Sequence, residues 1–177
     1  MADFVRIASY FKMAAPDKAG EGARALSRLR DSGVNLLAFS GFPRGRRAQL
    51  DFVPADPMAF KAAAKQAKLK VVGPKACFLA EGDDRPGAGA ELMSRLAEAR
   101  INVTAMQAIS AGSGRYGAIF WVNPRDVKKT AKLLGVQRSR LGAPSVRPYF
   151  RFTTVTPSPP SARSPGRNDA TYGEVFR

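Results

Sequence analysis

Histidine is absent from this chain of 177 residues, and cysteine and tryptophan occur once each, as Cys77 and Trp121. The lack of histidine removes the commonest general base and the commonest metal ligand of proteins. A single cysteine excludes an internal disulfide and a metal site built from several cysteines. No apolar run reaches the roughly 18 residues that a membrane-spanning helix needs. We therefore expect a cytoplasmic protein that is not an enzyme and holds no cofactor or metal.

The chain contains the same segment twice. Residues Phe11–Leu36 and Phe78–Val103 align without a gap at a spacing of 67 residues, and nine of the 26 paired positions are identical. Average composition would give only about one or two identities. The identical pairs are Phe11/Phe78, Asp17/Asp84, Gly20/Gly87, Gly22/Gly89, Ala23/Ala90, Ser27/Ser94, Arg28/Arg95, Leu29/Leu96 and Asn35/Asn102. We predict two copies of one structural unit, 1–73 and 74–138, whose equivalent loops can meet at a shared seam.

Both copies show the same order of elements, which is strand, helix, strand, strand, helix, strand. The first copy is predicted to contain strand Phe4–Met13, loop Ala14–Ala19 with Asp17 as a helix cap, helix Gly20–Ser32, strands Asn35–Phe42 and Ala48–Val53, a helix begun by Asp56-Pro57, and strand Leu69–Val72. The second is predicted to contain strand Lys75–Ala80, helix Gly87–Arg100, strands Asn102–Ser110 and Tyr116–Val122, a helix begun by Asn123-Pro124, and a short last strand near Val136. A hairpin between two helical crossovers is typical of the ferredoxin-like fold. We therefore predict an α+β protein of two βαββαβ units in tandem, with antiparallel sheets side by side and helices on one face.

Residues 139–177 differ in composition from the rest of the chain. Six prolines interrupt a stretch rich in serine, threonine and arginine. Such a composition buries too little apolar surface to offset the entropy of ordering, so we predict a disordered tail. Tyr149–Val155 is the exception, since its alternation fits a short strand that docks on an open sheet edge.

The loop between the first strand and the first helix of each copy is the candidate ligand site. It reads Pro16-Asp17-Lys18-Ala19-Gly20 in the first copy and Asp83-Asp84-Arg85-Pro86-Gly87 in the second. Free N–H groups at a helix N-terminus bind anions, so the N–H groups of Gly87 and Ala88 are predicted to hold a carboxylate. The alternative is that the glycines only permit close helix–sheet contact and that Asp84 caps the helix.

The Asp-x-Pro-Gly loop, the Ile101-Asn102-Val103 segment that begins the second strand, and the strand order together resemble the ACT domain, a small regulatory module that generally senses amino acids. The resemblance covers roughly residues 4–136. It implies one eight-stranded sheet backed by four helices, with a small amino acid or related metabolite bound where two units meet. The implied ligand residues are Asp84, Arg85, Pro86, Gly87, Ala88, Asn102, Asp17, Gly20 and Asn35.

Roles for these residues follow from the same resemblance. Asp84 is predicted to meet the ammonium group of the ligand and Asn102 to orient it. The alternative for Asn35 and Asn102 is that each only closes a helix–strand turn. We expect no catalytic domain with the pair, so the resemblance implies a freestanding sensor that acts through an unidentified protein partner or a messenger ligand. A homodimer is a further expected assembly.

A formal charge of +15, from 29 lysines and arginines against 14 acids, supports a second hypothesis. A basic nucleic-acid-binding adaptor of ferredoxin-like fold would use Arg44, Arg46 and Arg47 at a hairpin tip, and lysines such as Lys61 and Lys65, against phosphates. The glycine–aromatic pattern of RNA-recognition modules is missing, however. The helical lysines are explained equally well as a solvated face.

Three further groups of residues allow more than one interpretation. Tyr116, Phe120 and Trp121 either line a pocket or pack in the core, and we expect packing. The acids Glu81, Asp83 and Asp84 either hold a divalent ion or face solvent, and we expect solvent. Cys77 lies inside a predicted strand and is expected to be inert.

Overall fold

Six strands and four helices alternate along residues 4–136, the part of the chain that the computed structural model describes. They are β1 Phe4–Pro16, α1 Glu21–Asp31, β2 Leu36–Arg44, β3 Arg47–Pro54, α2 Pro57–Gln66, β4 Val71–Asp83, α3 Ala88–Glu98, β5 Val103–Gly112, β6 Arg115–Val122 and α4 Val127–Leu133, the last preceded by a 3₁₀ turn at Pro124–Asp126. The tail prediction for 139–177, including the strand Tyr149–Val155, lies outside the described residues. Within them, no helix combines the length and apolarity needed to cross a membrane.

The duplication read from the sequence is present in the structure. Both β1 and β4 are 13 residues long, α1 and α3 are both 11 residues long, and each of these pairs begins 67 positions apart. The α+β fold class and the ferredoxin-like alternation are therefore confirmed. The predicted loop Ala14–Ala19 is partly wrong, because β1 continues to Pro16 by pairing with the hairpin strand β3.

All strand pairs are antiparallel and form one sheet in the order β2-β3-β1-β4-β6-β5. The first strands of the two copies, β1 and β4, lie side by side at its centre, with Phe4 opposite Glu81 and Met13 opposite Val71. Leu69–Val72 and Lys75–Ala80 were predicted as separate strands, but β4 begins at Val71 and joins the end of the first to the second. β4 stays paired to β1 on both sides of a register shift between Tyr10 and Lys12, so the strand continues through this point.

The sheet has six strands where the ACT resemblance implies eight. In a ferredoxin-like unit the fourth strand lies beside the first. That place beside β4 is filled by β1, and the place beside β1 is filled by β4. Each central strand thus completes the sheet of the other copy, and the last strand predicted near Val136 does not form in the described residues.

The helices cover one face of the sheet in two apolar clusters. The cluster of the first copy centres on Phe11, Phe52 and Phe60 under α1 and α2. That of the second copy centres on Phe78, Phe120 and Leu96 under α3 and α4. Alternate residues of the strands supply both clusters, as expected for a sheet whose side chains have a period of two.

A third apolar cluster lies on the helix-free face. Val53, Cys77, Ile119 and Trp121 are buried there, with Tyr10 and Leu37 packed against them. Residues of the two edge strands β2 and β5, including Ser40 and Gln107, line one common cavity on this face. The sheet is therefore curled, and its edges shield the helix-free face from solvent.

The helix caps agree with the sequence in one case and differ in two. Asp56 caps α2 as predicted, since its carboxylate accepts from the N–H groups of Met58 and Ala59 at 2.8 and 3.1 Å. Asp17 was predicted to cap α1, and a cap on α3 was the alternative role for Asp84, but neither residue caps its helix. Gly20 and Gly87 occupy those cap positions with φ near +88° and +86°, a left-handed conformation that glycine adopts without steric cost.

Candidate functional site

The two strand-to-helix loops lie at opposite ends of the central strand pair. Because β1 and β4 are antiparallel, the loop after Pro16 leaves one end and the loop after Asp83 leaves the other. A strand of 13 residues spans about 40 Å. The expectation that equivalent loops meet at a shared seam is therefore wrong.

The loop of the second copy is anchored to the hairpin of its own copy. The N–H of Asp84 donates to the carbonyl of Gly114 at 2.8 Å, and the hydroxyl of Ser110 donates to the Asp84 carboxylate at 2.6 Å. Arg85 forms a two-pronged ion pair with Glu91, and this pair holds the pKa of Glu91 below its usual range. The acid and the arginine proposed as ligand contacts are thus already engaged.

The predicted amide cradle at Gly87 and Ala88 is only partly open. Ala88 is buried and its N–H donates to the carbonyl of Arg85 at 3.2 Å, so it is not available to a carboxylate. Pro86 and Gly87 are exposed in the turn before α3.

The remaining predicted positions are dispersed over the surface. Asp17 and Gly20 are exposed at the far end of the sheet. Asn35 is exposed as well. The carbonyl of Asn35 accepts from Ala55 at 3.0 Å, which fits the interpretation that it closes a turn. Asn102 is exposed just before β5. The structure therefore does not bring the nine predicted residues together.

The two copies instead share a groove on the helix-free face. It encloses about 870 Å³, and small-molecule sites commonly have about 300–1,000 Å³. Its lining comes from all six strands and from the turn that leads into α4, and it includes Tyr10, Ser40, Asp51, Lys75, Gln107 and Trp121. A concave wall with a few polar groups between aromatic rings has the general character of a ligand site.

Asp51 is the buried charge of this groove. It lies on β3 and is only 5% exposed, and its two carboxylate oxygens accept from the side-chain amide of Gln49 at 2.9 and 3.2 Å. Burial raises the pKa of Asp51, against the opposing effects of that hydrogen bond and of the charges of Lys12 and Arg44. Among residues 4–136, no lysine or arginine forms an ion pair with it.

Two aromatic side chains from different copies meet in the groove. Tyr10 on β1 and Trp121 on β6 pack edge to face, with ring centroids 5.8 Å apart. Burial raises the pKa of the Tyr10 phenol, and the Asp51 carboxylate raises it further. Lys75 stands opposite Tyr10 in the ladder between β1 and β4, and it is exposed.

Cys77 lies beneath the groove and is fully buried, with its thiol 3.5 Å from the carbonyl of Ala8. Burial raises its pKa to about 12, so the thiol stays protonated at neutral pH. We predict that Ellman's reagent at pH 8 leaves the folded protein unmodified and titrates one thiol once urea unfolds it. Rapid modification of the folded protein would show that the groove opens to its floor, and free glutathione serves as the reactivity control.

The hairpin arginines are exposed, and two of them donate hydrogen bonds to neutral groups. Arg44 donates to the side-chain oxygen of Gln49 at 2.7 Å, and Arg47 donates to the carbonyl of Ala14 at 3.3 Å. Arg46 is exposed at the turn. The nucleic-acid hypothesis stays a prediction.

Sequence reasoning missed Asp51, Tyr10 and Gln107 as site residues and treated Trp121 as packing. One signal was available, because Asp51 interrupts an otherwise apolar strand between Leu50 and Phe52. The curl that brings β2 towards β5 depends on contacts across the whole sheet, so no local pattern reveals it.

A scan against protein-family models finds no match, and neither does a search of the curated proteins. Solved structures do match. Protein BT0572 from Bacteroides thetaiotaomicron superposes with a TM-score of 0.65 at 16% identity, over 74% of this chain and 88% of that one. The aspartokinase alpha and beta subunits superpose with a TM-score of 0.54 at 15% identity, over 76% of this chain and 95% of that one. The ligand-free regulatory subunit of aspartate kinase from Thermus thermophilus superposes with a TM-score of 0.54 at 18% identity, over 76% of this chain and 93% of that one.

These likenesses concern the fold. The chain has the ACT-like, ferredoxin-like architecture that the sequence predicts, and it shares this fold with the aspartokinase alpha and beta subunits and with the regulatory subunit of aspartate kinase from Thermus thermophilus.

Proposed function

We propose that this chain is a non-catalytic regulatory protein that binds a small amino acid or related metabolite between its two ACT-like copies. The groove on the helix-free face carries this proposal, because it is built jointly by both copies and has the volume of a small-molecule site. A ligand held there contacts β1 and β3 of the first copy and β5 and β6 of the second. Its binding therefore stabilises the curled form of the sheet.

The comparisons support a regulatory role. One matching structure with nearly complete coverage is described as the regulatory subunit of aspartate kinase. We extend a regulatory role to this chain and infer that its ligand occupancy is transmitted to a partner protein. The strand-to-helix loops, with Asp84 and Asn102, remain the competing location for the ligand.

Thermal unfolding of the full chain with each of the twenty amino acids tests the proposal. Free ligand at about ten times its dissociation constant adds about 1.4 kcal/mol of stability. For a domain of this size, that raises the unfolding midpoint by about 3–6 °C. We expect such a rise with a small subset of the twenty.

Two matched variants on the same edge strand locate the site. Ala105→Phe fills the groove and should abolish the ligand-induced rise, because Ala105 lines it. Ala108→Phe places an equal ring on an exposed position of β5 outside the groove and should leave the rise intact. If Asp84→Asn with Asn102→Ala removes the rise while Ala105→Phe does not, the ligand sits in the loop. A flat response to all twenty would contradict the proposal.

A further inference from the structure

We propose that the groove recognises its ligand through a protonated amine, which pairs with the Asp51 carboxylate. This inference rests on the proposed function and specifies the chemical class of its ligand. It concerns a place on the sheet surface that is remote from the strand-to-helix loops.

The first step is that, among residues 4–136, no lysine or arginine forms an ion pair with Asp51. A buried carboxylate is costly unless it is paired or well hydrogen-bonded. Asp51 accepts only from the neutral amide of Gln49, and the guanidinium of Arg44 is directed to the oxygen of that same amide. Lys12 lies opposite Asp51 in the ladder with β1 without forming an ion pair. An incoming cation would supply the missing partner.

The second step is that an ammonium group suits this place better than a metal ion. Calcium takes six to eight oxygen ligands, and magnesium needs near-octahedral geometry. Across residues 4–136 no three metal-ligating side chains of the His, Cys, Asp or Glu type come together. One carboxylate flanked by an amide and a serine provides the few acceptors that an ammonium group uses, and Ser40 is the residue opposite Asp51 on β2.

The third step is that the groove offers aromatic surface next to the charge. Tyr10 and Trp121 line it, and the phenol of Tyr10 is close enough to Asp51 to sense its charge. Aromatic faces attract ammonium groups. The second copy has Ile119 in the place of Asp51. Asp51 directly precedes Phe52, which pairs with Phe11 of β1, and Ile119 directly precedes Phe120, which pairs with Phe78 of β4. The groove therefore contains one cation position and not two.

Matched probes test the charge requirement. Trp121 is the only tryptophan of the chain and lines the groove, so its fluorescence reports binding. The full chain is titrated with each amino acid that raises its midpoint, with the decarboxylated amine of that amino acid, and with its N-acetyl derivative. We expect the amine to keep most of the affinity and the N-acetyl derivative, which lacks the ammonium charge, to lose it.

Asp51→Asn removes the charge at nearly constant shape and should weaken amine binding by about tenfold to a hundredfold, the worth of one charge-assisted hydrogen bond. Glu98→Gln removes an exposed acid on α3 and should leave the affinity unchanged. Circular dichroism verifies that both variants fold. Equal affinity of wild type and Asp51→Asn would overturn the inference while leaving the proposed function intact, and so would preferential binding of the N-acetyl derivative. Absence of binding by every probe would overturn both.

Discussion

Replacing Phe52 with alanine is expected to lower the free energy of unfolding by about 3–5 kcal/mol. The ring of Phe52 is fully buried at the centre of the first copy. Its centroid lies 5.7 Å from that of Phe60 and 5.4 Å from that of Phe39, and Phe11 is its partner across the ladder with β1. Truncation loses this packing and leaves a cavity that the rigid sheet cannot collapse.

Urea unfolding is monitored through the fluorescence of Trp121. This probe shows whether the second copy unfolds together with the first, in addition to measuring stability. Trp121 belongs to the second copy, whereas Phe52 belongs to the first. Because the copies share one sheet through the pairing of β1 with β4, we expect the Trp121 transition to shift by the full amount seen in circular dichroism.

Phe39→Ala is the matched control, since Phe39 touches the same ring but is 38% exposed. It should cost about 1 kcal/mol, because less apolar surface is lost from the interior. An unchanged Trp121 midpoint in Phe52→Ala, with a separate transition by circular dichroism, would show that the copies unfold independently.

The fold was predictable because the sequence signals that specify it are local and occur in both copies. Identities such as Leu29/Leu96 mark equivalent helix faces, and Asp56-Pro57 marks the start of α2. Each of these signals acts within a few residues. The joining of the copies was not predictable in the same way, because the pairing of β1 with β4 brings together residues that are far apart in the sequence.

The groove was not predictable from the sequence for a related reason. Equivalence of Asp17 with Asp84 drew attention to the loops, where the copies are alike. The groove depends on positions where the copies differ, as Asp51 and Ile119 do. A repeat comparison highlights shared architecture, whereas a ligand held across a pseudo-symmetric pair contacts unlike residues from each half.

The groove also depends on the duplication. A single copy has an open helix-free face with Val53 or Trp121 exposed on it. Pairing β1 with β4 places those residues in one cluster, and the curl then leaves a cavity above them. Regulation would follow if the ligand favoured one degree of curl, because α1 and α3 pack against the opposite face of the same sheet.

Gly73→Ala tests the joint between the copies and should destabilise the protein by about 2–3 kcal/mol. A methyl group at Gly73 would lie 2.8 Å from the carbonyl oxygen of Tyr10 and 3.2 Å from the α-carbon of Phe11. Both are backbone atoms of the neighbouring strand, so no side-chain rotation relieves the clash. The two central strands would have to separate where the register shifts.

Gly89→Ala is the matched control for the same substitution. Gly89 lies in α3, and a methyl group there meets no atom within 4 Å. It should stabilise the protein by about 0.5–1 kcal/mol, because alanine loses less backbone entropy in a helix than glycine does. Opposite signs in urea unfolding are the expected result. A Gly73→Ala variant as stable as wild type would mean that β1 and β4 separate at this point at little cost, and that the six-stranded sheet is not one cooperative unit.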